Sequence, residues 1–99
     1  MSVVTNVILT CSLGEKRALE ELNAFLADAG SFGALKSVRE AANGGNKIIE
    51  ANLLAGAFNA LIVDEFLEWV GACAWNDPVT VRVFVKEQHE SAFRERRRP

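Results

Sequence analysis

The spacing of apolar residues along this chain changes period several times, and the order of those changes limits the folds open to it. Val79, Val81, Val83 and Val85 alternate with Thr80, Arg82, Phe84 and Lys86, the two-residue period of a half-buried strand over 79–86. The same period opens the chain over 3–11, in a segment rich in β-branched residues and free of proline and glycine. It sets Val3, Thr5, Val7, Leu9 and Cys11 on one face and Val4, Asn6, Ile8 and Thr10 on the other. Apolar residues on both faces predict a central strand.

Between these strands the period lengthens twice. Over 13–29, Ala18, Leu19, Leu22, Phe25, Leu26 and Ala29 recur at steps of three and four, which predicts a helix. Ser12 followed by Glu15 fits a capping box at its start, and Gly30 suits its end. A second helix is predicted over 63–74, with Phe66, Leu67, Val70, Cys73 and Ala74 as its apolar stripe. Its Asp64, Glu65 and Glu68 lie towards the positive N-terminal end.

Two more strands are predicted between the helices. One, over 34–41, carries Lys36, Arg39 and Glu40, as an edge strand does to discourage pairing with other chains. Asn43-Gly44-Gly45-Asn46 marks a turn, since these residue types tolerate positive φ. The other strand, over 47–58, is expected to turn Ile49, Ala51, Leu53, Ala55 and Ala57 to the helices. That sends Glu50, Asn52, Leu54 and Phe58 to the open side, with Gly56 as a candidate bulge site. The resulting order is βαββαβ. Right-handed crossovers put both helices on one side of a four-stranded antiparallel sheet, with the first and third strands central. The expectation is thus an α+β, ferredoxin-like sandwich forming one domain over 1–93, followed by a basic, frayed tail over 94–99.

Composition bears on partners. At 99 residues and 49% hydrophobic, the chain has material for one core, which excludes disorder. The net charge of −2 hides an asymmetry: Arg94-Glu95-Arg96-Arg97-Arg98 carries +3, so the rest carries −5. An acidic body repels phosphates, and the expected sheet face lacks the stacked aromatics of an RNA reader, so nucleic acid is an unfavoured partner. No apolar run is long enough to span a bilayer and no basic stretch precedes a hydrophobic one, so a membrane is excluded and a cytoplasmic location expected.

The chemistry-bearing residues are sparse. His89 is the single histidine, in the charged stretch after the last strand, and reads as a solvated side chain. Cys11 and Cys73 lie far apart on apolar faces, without the Cys-x-x-Cys spacing of a redox or metal loop, and are expected to be buried free thiols. Ser12-Leu13-Gly14 lacks the arginine of a phosphate cradle like that of acylphosphatases. Gly44-Gly45 has no following helix to hold phosphate. Trp69 and Trp75 are expected on the rim of the core. No enzyme, cofactor or metal is therefore expected.

Several segments carry a resemblance: Thr5-Asn6-Val7-Ile8-Leu9, Gly44-Gly45-Asn46-Lys47, the run over 50–59, Asp64-Glu65-Phe66-Leu67-Glu68-Trp69 and Phe84-Val85-Lys86-Glu87-Gln88. Across nearly its whole length the chain resembles small uncharacterised proteins of actinobacteria and their phages. The resemblance implies a bacterial or phage intracellular origin and brings no catalytic residue with it.

The predicted open sheet face is the candidate site. Apolar Ile8, Leu54 and Phe84 stand there among Asn6, Glu50, Asn52 and Arg82, an apolar centre with a polar rim. The expected function is a non-enzymatic protein-interaction module, a homodimer or a subunit docking on another protein. The alternative is a small-ligand domain using Glu50, Asn52, Asn6 and Arg82 as polar contacts around Ile8 and Phe84.

Overall fold

The computed structural model describes residues 3–29 and 33–97. It is α+β: strand β1 (Val4–Cys11), helix α1 (Lys16–Asp28), strands β2 (Lys36–Ser37) and β3 (Asn52–Asn59), helix α2 (Val63–Ala72), and strands β4 (Arg82–Glu87) and β5 (Arg94–Arg96). Among the described residues the five strands form one sheet in the order β2-β3-β1-β4-β5, every pairing antiparallel. β1 is central, as its two-sided apolar pattern predicts.

One core holds the layers together. Val7, Leu9 and Cys11 of β1 and Val83 and Val85 of β4 are buried against Ala18, Leu22 and Leu26 of α1 and Phe66, Leu67 and Val70 of α2. Both helices therefore cover the same side of the sheet. They also meet each other: the Phe25 and Trp69 rings stack with centroids 6.2 Å apart. Trp69 and Trp75 are half-buried against the core, and the Trp75 indole N–H donates to the Val70 carbonyl at 2.6 Å.

The start of α1 differs from the expected capping box. Ser12 does not cap the helix; its backbone N–H donates to Thr80 Oγ1. Leu13 and Gly14 form a turn, Gly14 at φ +89°, and the helix begins at Lys16. Glu15 is fully buried, and its two carboxylate oxygens accept the backbone N–H groups of Asn76 and Asp77, each at 2.8 Å. Glu21 accepts the Ala74 N–H, so α1 clasps the loop that follows α2. On its other side Asn23 brackets Leu35, accepting its N–H and donating to its carbonyl. Gly30, expected to end α1, lies outside the described residues.

The strands between the helices also differ. β2 is short, because the chain turns over 39–42 with Ala41 and Ala42 N–H groups donating to Val38 and Arg39 carbonyls. The Asn43–Asn46 turn forms, closed by Gly44 N–H to Lys47 carbonyl and an isolated bridge between Asn43 and Ile48. β3 begins only at Asn52, and its faces are the reverse of the expected ones. Leu54 and Phe58 are buried under the helices, whereas Leu53, Ala55 and Ala57 face the open side.

Gly56 explains the reversal. A side chain there would lie 2.8 Å from the Phe58 ring, so the ring folds over the glycine and fills the space beneath the helices. Leu54 and Phe58 supply bulk that alanines could not.

Two corrections concern the C-terminal end. Val79 lies in a 3₁₀ turn over Pro78–Thr80 and is 74% exposed, because Thr80 and Val81 N–H groups bond back to Asp77 and Pro78. The described sheet has five strands, not four: Arg94–Arg96 of the expected tail pair with Val83–Val85. Backbone hydrogen bonding on a free edge needs no apolar side chain. Arg98 and Pro99 lie outside the described residues.

Candidate functional site

The register assembles the open face in rows. Across the centre run Lys36, Ala55, Ile8, Phe84 and Glu95, one from each strand. On one side of this row lie Leu53, Thr10 and Arg82, and on the other Ala57, Asn6 and Lys86. Among the described residues no helix covers this face. Ile8, Leu53, Ala55 and Phe84 are nevertheless half-buried, each shielded by its cross-strand neighbours. Val38, whose N–H bonds to the Leu53 carbonyl, stays 37% exposed beside them.

The polar members are held in place. Asn6 Nδ2 donates to the Lys86 carbonyl at 3.0 Å. Arg82 donates to the Val79 carbonyl at 2.7 Å and its Nε lies 3.4 Å from Glu95 Oε2. Arg97 approaches the same carboxylate oxygen at 3.8 Å. The β4–β5 turn, which leads into the strand that carries Glu95, is fastened by Glu90, which accepts the Glu87 backbone N–H and pairs with Arg94. Accepting that N–H is the main cause holding the Glu90 carboxyl below its ordinary range, with Arg94 adding to it.

Of the seven candidate residues, Asn6, Ile8, Arg82 and Phe84 come together on the open face. Leu54 does not, being in the core at 5% exposure. Asn52 points to the helix side, where its Nδ2 donates to the Ser12 carbonyl. Glu50 stands exposed ahead of β3, off the sheet. Sequence reasoning missed Leu53, Ala55, Lys36 and Glu95. For β3 a signal existed: Leu54 and Phe58, four residues apart around Gly56, are the bulkiest pair on either face. For Glu95 there was none, since its neighbours are all arginines.

The two thiols take no part in this face. Cys11 and Cys73 are both free and buried. Burial pushes each up to about 11, and the Cys73 Sγ–H donates to the Trp69 carbonyl. A thiol at that value is protonated near neutrality and a poor nucleophile. A cleft of about 670 Å³ lies on the helix side between α2 and β5, lined by Val70, Trp75, Val83, Glu68 and Arg96 among others. It mixes both signs of charge. Among the described residues no metal-holding cluster forms and no helix is long and apolar enough to cross a membrane. No family model matches this chain, nor does any curated protein or solved structure.

Proposed function

We propose that this chain is a ferredoxin-like sandwich enlarged by a fifth strand, and that it works as a non-enzymatic protein-interaction module through its open sheet face. The order β2-β3-β1-β4, with both helices on one side, supports the first part. The second rests above all on one observation: Ile8, Phe84, Ala55 and Leu53 form a continuous half-exposed apolar patch, rimmed by Lys36, Lys86, Arg82 and Glu95. An apolar centre with a charged margin suits association, because burying the centre excludes water while the rim stays solvated. The small-ligand alternative on this face loses support, since Asn52 and Glu50 stand elsewhere. Two buried free thiols fit a cytoplasmic setting.

Replacing Phe84 by Asp tests the interaction. Burying a phenylalanine at an interface contributes roughly 1.5–3 kcal/mol, so self-association should weaken at least about tenfold. Phe84→Ser serves as the uncharged control. Both should keep the circular dichroism spectrum, because Val83 and Val85, not Phe84, make the core contacts of β4. Sedimentation equilibrium reads the association. A Phe84→Asp protein that associates as strongly as the wild type would remove the open face from consideration.

A further inference from the structure

β5 extends the sheet beyond the reach of its two helices. The core packs α1 and α2 against β1, β3 and β4, whereas all three side chains of β5 stay exposed or half-buried. The register sets Arg94 opposite Val85 and Arg96 opposite Val83, so both arginines stand on the helix side of the sheet. The step between β5 and the flank of α2 is the cleft of about 670 Å³, within the roughly 300–1,000 Å³ that small-molecule sites occupy. Leu67, Val70 and Trp75 give it one apolar wall, and Val81 and Val83 another. The Trp75 indole N–H is already given to the Val70 carbonyl, so the ring offers the cleft an apolar surface and no free donor.

The charges around the cleft are unequally matched. Arg94 is paired with Glu90. Arg82 and Arg97 both approach Glu95, at 3.4 and 3.8 Å. The half-buried Arg96 guanidinium has no hydrogen bond or ion pair among the described residues. Glu68, exposed on α2, is the one negative charge of the cleft without a partner there. Set against Glu68 and Glu95, the three arginines Arg82, Arg96 and Arg97 leave the cleft one positive charge in excess.

We infer that this cleft binds a small aromatic carboxylate, with the carboxylate on Arg96 and the flat apolar body against Trp75. The site lies on the helix side of the sheet, away from Ile8 and Phe84, and does not depend on the interaction reading above. A guanidinium presents two parallel N–H groups that match the two oxygens of a carboxylate. Partial burial strengthens that pair, because water competes less for a half-covered guanidinium. An aromatic ring excludes water from the Trp75 and Val70 surface while its charged edge reaches β5. One unpaired guanidinium suits one negative charge; a doubly charged phosphate would also face Glu68 uncompensated.

The test uses the full chain and two probes of nearly the same shape, 2-naphthoate and uncharged 2-naphthamide. Proton–nitrogen NMR follows the Trp75 indole N–H, told apart from that of Trp69 with Trp69→Phe. 2-Naphthoate should move the Trp75 signal saturably, with a dissociation constant of about 1 mM or tighter for a ligand of this size. Arg96→Gln should weaken 2-naphthoate about tenfold, the loss of a charge-assisted pair, and leave 2-naphthamide within about twofold. Arg17→Gln removes the same charge from the exposed side of α1, outside the cleft, and should change neither. Glu68→Gln should strengthen 2-naphthoate about twofold, since it removes a repelling charge. Thermal melts check that each variant folds, and if Arg96→Gln does not, Arg96→Lys decides: it keeps the charge without the fork and should still bind more weakly than the wild type. A Trp75 signal that stays still at about 10 mM 2-naphthoate, well above the expected constant, overturns the site. Equal affinity for the two probes, or an equal loss in Arg96→Gln and Arg17→Gln, overturns recognition of the carboxylate by Arg96.

Discussion

β1 shows two surfaces of the same sheet side by side. Val7, Leu9 and Cys11 are almost completely buried under the helices, while Asn6, Ile8 and Thr10, alternating with them, are only half-buried. The first set is packed from above by α1 and α2; the second is shielded only sideways by β3 and β4. The difference teaches that partial burial inside a sheet does not make a core. It leaves apolar atoms ordered by cross-strand contacts but still facing water, so covering them can contribute to association at little cost in reorganisation.

β3 breaks or sharpens this contrast most directly, because its neighbours Leu53 and Leu54 have the same chemistry on opposite faces. Leu54→Ala should destabilise the fold by about 2–5 kcal/mol, the cost of a cavity in a packed interior. Leu53→Ala should cost less than about 1 kcal/mol, since no layer above it is left with a void. Urea titration of the two variants measures the difference. Equal losses at a protein concentration too low for association would mean that both faces support the fold of the single chain.

The same pair shows what was legible in the sequence. Long, uninterrupted periods locate β1, α1, α2 and the core of β4, because each needs only local alternation to declare its inner face. β3 is apolar on both sides, and its orientation depends on the Phe58 ring filling the space at Gly56, a contact that alternation does not encode. Alternation alone therefore sends Leu54 and Asn52 to the wrong face. β5 is silent in the sequence because its pairing uses backbone groups while its side chains are two arginines and a glutamate. Glu15 reads locally as a capping residue, although its partners are backbone groups 61 and 62 positions away.

Glu15 is the polar counterpart of the apolar core on the covered side, and it gives the next largest effect. Glu15→Gln keeps size and removes one of the two acceptors, leaving either the Asn76 or the Asp77 N–H facing an amide nitrogen. A hydrogen bond to a charged group contributes roughly 1.5–3 kcal/mol, so the variant should lie well below the wild type in urea titration. Glu21, half-buried and holding the Ala74 N–H, should matter less: Glu21→Gln keeps a carbonyl acceptor and should cost under about 1 kcal/mol. Equal effects would show that burial does not distinguish the two clasps.

The smallest expected effect lies at the edge of the open face, where Glu90 ties the β4–β5 turn. Its carboxyl is held below the ordinary value of 4.5, first by the Glu87 N–H it accepts and further by Arg94. A depressed carboxyl value means that the unfolded chain takes up the proton first as pH falls. The stabilisation is therefore complete above about pH 4.5 and is lost as pH drops from there through the lowered folded value. Glu90→Gln has no such proton to bind. At pH 6.5 the wild type should melt above the variant, and the gap should narrow at pH 3.5. Taking the difference between the two proteins removes the contribution of every other acid. Because Glu95 follows Glu90 on the same hairpin, a loosened turn also frees one end of the central row. A gap that stays constant with pH would show that the carboxylate's charge does not hold the hairpin, and that the turn is fixed by backbone bonds such as Glu90 N–H to Glu87 carbonyl.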